Sequence, residues 1–380
     1  MREFLPVEKG DLYLYLGKDS LFILNEKSGH VFGFEKEAAA FVLRIEELLE
    51  RNDKTALAQL SQELPDAVER IVDILEGRTE TSDENYEPPM DTGVFTPDEK
   101  ERRVYRAGDM FSFHVACPTQ EFCERIEPQF DHLKEENAIE VAGAARSIKV
   151  DFKRSPDGLW QLYFNDRPVG SPAALSTMPL MLQENLIIAY YQSRPYLMAL
   201  HAAAVSVGGR AVVMPAVSGS GKSTLSAAFA ANGHALFSDE IALLGYDGKV
   251  KPVPFSMNIK EGSWQVLEPM YPTLLHLPSH LRFDGQLVKF LSPVNLKEDH
   301  EEIGAIVFPR YEKGASCRVE ELGSCETLRR IREAGYQLDV PLVHEHFEGI
   351  LEHLLAKPSY ALTYGSLDEA MATVRELMVG

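Results

Sequence analysis

The sequence predicts an α/β fold in which strand and helix signals alternate through the second half of the chain, behind a small α+β module at the N-terminus. Three observations carry this. The first is the apolar run Ala211-Val212-Val213-Met214, a Gly/Ser-rich loop and a helix-forming stretch over residues 225–231 that stops at Gly233. The second is the strand-and-helix alternation that follows Tyr196-Leu197-Met198-Ala199-Leu200-His201. The third is a pair of β-prone runs followed by three helical stretches, set off from the rest by an acidic, proline-containing segment.

In order, Leu12-Tyr13-Leu14-Tyr15-Leu16 and Leu21-Phe22-Ile23-Leu24 flank Gly17-Lys18-Asp19-Ser20 as a hairpin, and Ser28-Gly29-His30 marks a second turn. Apolar residues at helical spacing fill 35–50, 55–64 and 66–75. Residues 1–78 therefore read as one α+β domain, and 79–103, with Glu80, Asp83, Pro88, Pro89 and Pro97, as a linker. Residues 104–380 form the main domain, with its core at about 195–380. Its first part is strand-rich: Ile148-Lys149-Val150-Asp151-Phe152 and Leu159-Trp160-Gln161-Leu162-Tyr163-Phe164 alternate around Pro156-Asp157-Gly158, a hairpin expected at a sheet edge. A largely apolar helix is expected over residues 179–191.

The net charge of −20 argues against a general nucleic-acid binder, whose affinity rests on Lys and Arg neutralising phosphates. No apolar run approaches the roughly 20 residues of a bilayer span, and Met1-Arg2-Glu3-Phe4-Leu5-Pro6 has no signal-peptide core, so no membrane is expected and the cytoplasm is the default address. Cys117, Cys123, Cys317 and Cys325 show no metal-ligand spacing and read as four free thiols in a reducing compartment.

The loop itself ends Ser218-Gly219-Ser220-Gly221-Lys222-Ser223-Thr224. Small residues let backbone N–H groups face phosphate oxygens, the helix N-terminus adds positive potential, Lys222 reaches the β and γ phosphates, and the Ser223 hydroxyl ligates Mg²⁺. All seven residues are thus candidate nucleotide ligands, with ATP and Mg²⁺ as cofactors. The usual first glycine of this motif is Ala216 here.

Seventeen positions past Lys222 stand Asp239 and Glu240, two acids at a strand end. Phosphoryl transfer requires a carboxylate for Mg²⁺, and a kinase requires another to orient or deprotonate the acceptor hydroxyl, so the pair tilts the reading from ATPase to kinase. His201 on its own is a packed histidine, but chain order places its strand near the loop. Arg310 fits either a charge stabiliser or a surface arginine, and Lys260 is equally open. His344-Glu345-His346 with Glu348 reads as solvated helix surface, because an i, i+2 pair on a helix does not face one ion.

Taken together, Leu200-His201-Ala202-Ala203, Val217 to Thr224, and Gly233-His234-Ala235-Leu236-Phe237-Ser238-Asp239-Glu240 resemble the HPr serine kinase/phosphorylase family, whose P-loop is related to that of phosphoenolpyruvate carboxykinase. The resemblance covers about residues 105–380, weakly before His201, and implies a P-loop kinase core of that type. It assigns Asp239 as base towards the substrate hydroxyl, Glu240 (aspartate in the founding enzymes) as metal ligand, His201 as the histidine near the phosphates, and Lys260 or Arg310 as the later basic residue. The founding enzymes' phosphorylase signature has no counterpart here. Leu21-Phe22-Ile23-Leu24-Asn25-Glu26-Lys27-Ser28-Gly29 followed by three helices is similar to PqqD-type domains, winged-helix-like modules that take a leader peptide as an added strand.

The expectation is an ATP-dependent kinase acting on a serine or other hydroxyl of a peptide or small protein recruited by the N-terminal domain. The resemblance also implies a homo-oligomer. A nucleotide-gated binding or chaperone protein and a small-molecule hydroxyl kinase are the alternatives.

Overall fold

The computed structural model describes residues 4–78, 90, 100–134 and 146–379. Its fold is mixed α/β, and no helix among the described residues is long and apolar enough to cross a membrane.

The N-terminal module holds four antiparallel strands in chain order, Leu5–Lys9, Leu12–Leu16, Ser20–Asn25 and His30–Glu35, followed by helices Lys36–Glu50, Lys54–Glu63 and Pro65–Leu75. The two expected turns and three helices are present, and a first strand is added. Successive strand residues point to opposite faces. Leu12, Leu14, Leu21 and Ile23 pack on the helices with Val42, Ile45 and Ile71. Tyr15, Phe22 and Leu24 turn the other way, into one cluster with Leu197, Leu328 and Phe347 of the main domain. A sheet with one wet face would alternate with polar residues, so the unbroken run Leu21 to Leu24 is the mark of a sheet covered on both sides.

The expected linker falls largely on residues 79–89 and 91–99, outside the described residues. Its end is built into the fold instead. Arg102 donates to both carboxylate oxygens of Asp151, and strand Arg103–Ala107 begins beside it.

At the docking face, Glu26 Oε1 accepts from the backbone N–H of His344 at 3.0 Å and meets its Nδ1 at 2.9 Å, while Tyr13 stacks on the imidazole with centroids 4.4 Å apart. His344 is therefore not the solvated surface its own helix suggested: its partner Glu26 comes from the N-terminal module. The hydrogen bond that Glu26 accepts raises the His344 pKa above the ordinary histidine value, with Glu345 and Glu348 adding to it, and Glu26 is lowered by its bonds with His344. A raised histidine contributes stability that is complete below its unfolded value of about 6.5 and fades as pH rises through the folded value. An ion pair this accessible contributes at most about 1 kcal/mol, whereas each buried aromatic in the same face contributes about 1.5–3 kcal/mol. Raising pH from about 6 to about 8 is accordingly expected to lower amide-exchange protection in Tyr13 to Leu16 modestly without releasing the module, and His344→Gln is expected to remove that pH dependence.

In the first part of the main domain, five strands are ordered Arg103–Ala107, Phe111–Val115, Arg146–Arg154, Trp160–Phe164, Arg167–Ala173. The expected hairpin around residues 156–158 is present, but Arg167–Ala173 covers it, so it is not the edge. Cys117 and Cys123 are disulfide-bonded, which corrects the reading of four free thiols and removes two of those on which a reducing compartment was inferred. The chain turns at the helix cap Thr119, and this local geometry brings the two Cα atoms to 5.6 Å. Cys317 and Cys325 are free. Helix Met178–Tyr191 is apolar nearly all round because it is buried nearly all round, between this sheet and the core.

The core sheet is organised by the long strand Met198–Val207. Its first half lies between Ile241–Leu244 and Tyr336–Leu338, its second between Arg210–Pro215 and Leu236–Ser238. Arg210–Pro215 runs parallel to Glu301–Tyr311, which runs parallel to Ser359–Tyr364. Those three strands end together at Pro215, Tyr311 and Tyr364, and the carboxyl ends of parallel strands are where open α/β sheets leave a crevice.

Candidate active site

The crevice is a cavity of about 710 Å³ bounded by the loop that follows Pro215, by His201 and Glu240, and by Asn258, Lys260 and Arg282. A chain with net charge −20 thus gathers Lys222, Lys260 and Arg282 in one place.

Strand Arg210–Pro215, whose Ala211 to Met214 are fully buried, delivers the chain to the loop, and helix Lys222–Ala231 carries it away. Gly219 and Gly221 have φ of +88° and +91°, where a side chain is strained. Ala216 is not among the positive-φ residues, so a methyl group is tolerated where the motif usually has glycine. The loop is held from behind: the Tyr311 N–H donates to the Ser220 carbonyl at 2.9 Å and the Tyr364 hydroxyl to the Gly221 carbonyl at 3.2 Å. Gly221 offers the helix no side-chain cap; the Lys222 N–H reaches only Ser220 Oγ, at 3.4 Å, and a helix start of this kind can turn its N–H groups to a ligand. A Cβ at Gly221 would strike the Tyr364 hydroxyl and approach Tyr311 Cβ to 3.0 Å. Gly221→Ala is therefore expected to lower stability by at least about 1–2 kcal/mol in thermal unfolding, since the left-handed conformation and the collision add.

Lys222 is only 7% exposed, and among the described residues its Nζ has no hydrogen-bond partner. Lys260 reaches the loop through the Ser218 hydroxyl, and burial and then Arg282 push its pKa down. Thr224 Oγ1 lies 2.5 Å from Ser263 Oγ.

The acidic pair divides. Asp239 is 2% exposed and does not line the cavity: Oδ1 accepts from Ser226 Oγ at 2.8 Å and Oδ2 from the Asn258 N–H at 3.2 Å. Burial pushes its carboxyl up, against Lys222 and the hydroxyls of Ser226 and Ser223. Glu240 does line the cavity, with Oε1 3.2 Å from His201 Nε2. Burial pushes it up as well, but Lys222 and His201 outweigh that and hold it at about 2. His201 Nδ1 lies 2.9 Å from the Ala334 carbonyl, which can only accept, so Nδ1 donates there; a hydrogen bond from Nε2 to the Glu240 carboxylate, 3.2 Å away, requires a second N–H on the ring.

The structure thus brings the 218–224 loop, His201, Glu240 and Lys260 to one cavity, with Asp239 sealed behind it. Arg310 is not there: its side chain is 74% exposed and pairs with Glu312 at 3.0 Å. Strand Glu301–Tyr311 ends at the loop, but alternation puts Tyr311 along the cavity and Arg310 on the other side. Arg282 and Asn258, not singled out from the sequence, line the cavity instead. Neither carries a local signal, because the separate three-stranded sheet of Met257–Lys260, Ser279–Leu281 and Leu287–Leu291 delivers both, Asn258 within its first strand and Arg282 just past its second.

Neither a family model nor a curated protein matches this chain.

Proposed function

We propose that the cavity binds a magnesium nucleotide and transfers its γ-phosphoryl group to a hydroxyl of a peptide or small protein. The observation that carries this is Lys222. A buried ammonium without a hydrogen-bond partner is costly unless a ligand completes it, and it stands at the uncapped start of a helix, in a glycine loop fixed from behind. The resemblance to HPr kinase-type loops supports the same reading.

The burial pattern recasts the two acids. Ser223, with Asp239 behind it, fits the hard-oxygen side of the site that would hold Mg²⁺, which when bound neutralises the β and γ oxygens. Glu240, ionised and facing the cavity beside His201, fits the acceptor side. The acceptor oxygen bonds to the γ-phosphorus, the bond to the β–γ bridging oxygen breaks, the diphosphate leaves with that electron pair, and the hydroxyl proton passes to the Glu240 carboxylate. Proton acceptance comes late in so loose a transition state, so orientation matters more than basicity.

Recruitment of the acceptor is assigned to the N-terminal module. Strand Leu5–Lys9 pairs only with Leu12–Leu16 among the described residues, leaving an outer edge where a peptide can add as a strand. At the opposite edge strand, His30–Glu35, helix Ser324–Ala334 already stands close by: the Glu35 side chain accepts from the Cys325 N–H at 3.2 Å.

The sealing of Asp239 is the one observation that favours a nucleotide-gated binding protein over a kinase. Incubating the purified protein with γ-labelled ATP, Mg²⁺ and lysate from its source, with Lys222→Ala as control, separates the readings. A labelled polypeptide absent from the control is expected. A labelled small molecule would make it a small-molecule kinase, and free phosphate or no turnover would leave the gated binding protein.

A further inference from the structure

A chain of buried carboxamides runs from the first part of the main domain to the wall of the cavity. Gln129, Gln183 and Asn258 are 1%, 1% and 8% exposed. Gln129, on helix Gln120–Phe130, donates from Nε2 to the Pro179 carbonyl and to Gln183 Oε1, each at 3.0 Å. Gln183, on helix Met178–Tyr191, donates from Nε2 to the Ser256 carbonyl at 2.8 Å and to Asn258 Oδ1 at 3.2 Å.

The direction of this chain is fixed by chemistry. A carboxamide can be turned end for end at little cost unless its partners decide, and a backbone carbonyl accepts only. The Pro179 carbonyl therefore obliges Gln129 to present its NH₂, although Gln129 Oε1 is then left without a partner. The Ser256 carbonyl obliges Gln183 to do the same. Asn258 must then meet Gln183 with Oδ1, and its own NH₂ points away from the relay. Among the described residues that Nδ2 has no protein partner, yet it is not among the sealed unpartnered atoms, and Asn258 lines the cavity. Along strand Met257–Lys260, Asn258 shares a face with Lys260, whose Nζ contacts Ser218 of the glycine loop, and the Asn258 backbone N–H is bonded to Asp239. Asn258 thus stands between the acid behind the loop and the lysine beside it.

We infer that Asn258 is a ligand-contacting residue whose Nδ2 donates to an oxygen of the γ-phosphoryl group, and that Gln183 is the positioning residue that keeps this NH₂ turned to the cavity. The inference rests on the nucleotide reading above. A neutral donor suits this position, because it neither competes with Lys222 for Glu240 nor ligates the metal.

The test is calorimetric binding of ADP, and of ADP with beryllium fluoride as a γ-phosphoryl mimic, both with Mg²⁺, to the full chain. Asn258→Asp and Asn258→Ala are expected to lose about tenfold to a hundredfold in affinity for the beryllium fluoride complex, the range for one hydrogen bond to a charged group, with ADP affinity little changed. Gln183→Met, which frees the Asn258 amide to turn, is expected to show a smaller loss with the same selectivity. A merely structural role would lower both affinities together, and equal affinities in wild type and variants would overturn the assignment. So would a loss confined to acceptor KM, which would place the donor on the acceptor hydroxyl. Wild-type protein that binds neither ligand overturns the nucleotide reading itself, a result separable from failure of the Asn258 assignment.

Discussion

Lys222→Met is expected to abolish the stabilisation of the protein by Mg–ATP and all phosphoryl transfer while changing the stability of the free protein little. Two terms of opposite sign meet in the free protein. Removing a buried ammonium that has no hydrogen bond relieves a desolvation cost, and methionine fills most of the same volume. Against this, Lys222 favours the charged forms of Asp239 and Glu240, which lose that influence. The ligand-dependent term has no such offset. At nucleotide concentrations about a hundredfold above Kd, binding stabilises by about 2.7 kcal/mol, which thermal unfolding with and without Mg–ATP reads directly. A variant that keeps the ligand-dependent shift would remove the nucleotide from this cavity; one that unfolds on its own would make Lys222 a structural residue.

How far such a site is legible in a sequence depends on how local its determinants are. The glycine loop is local: a buried strand, small residues and a helix must follow one another directly along the chain, and residues 211–231 announce all three. The hairpin and helices of the N-terminal module are local in the same sense. That the same module is pressed against the core was also written in the sequence, in the unbroken apolar run Leu21 to Leu24, but recognising it requires asking what covers the second face. His344 shows the limit. Judged by its helix neighbours it belongs to solvent, and its partner Glu26 lies 318 positions away.

The residues that complete the cavity are illegible for the same reason. Arg310 was attractive because it ends a strand near the loop, and strand alternation turned it out. Arg282 follows strand Ser279–Leu281 in a polar turn with nothing in its surroundings to distinguish it, and only the three-stranded sheet brings it over the loop. The relay through Gln129 and Gln183 is more remote still, since an amide's direction is decided by carbonyls from other elements. The acidic pair is an intermediate case. Adjacency in a strand-to-strand turn predicts two carboxylates near the phosphates, but which of them faces the cavity is a matter of side-chain direction, and spacing is silent on that.

That direction makes the second large effect a contrast between neighbours. Glu240→Gln is expected to lower phosphoryl transfer by about 10²- to 10⁴-fold, the range for a positioned acid–base group, with Mg–nucleotide affinity changed little. Glutamine still reaches His201 but cannot take the acceptor's proton. Asp239→Asn is expected to act differently. The carboxylate there accepts from Ser226 Oγ and from the Asn258 N–H, one on each oxygen, and an amide must turn its NH₂ towards one of those donors. The Ser226 hydroxyl can rotate to accept; the backbone N–H cannot, so the amide oxygen takes the Asn258 side and the Ser226–Ser223 side is rearranged. The expected result is a loss of about 1–3 kcal/mol in stability and a weakening of nucleotide binding that depends on Mg²⁺, read by calorimetry with and without the metal. If instead Asp239→Asn keeps Mg–nucleotide affinity and loses transfer while Glu240→Gln loses the metal-dependent affinity, the acceptor-facing role belongs to Asp239. That outcome would mean the sealed carboxyl is uncovered when the nucleotide binds.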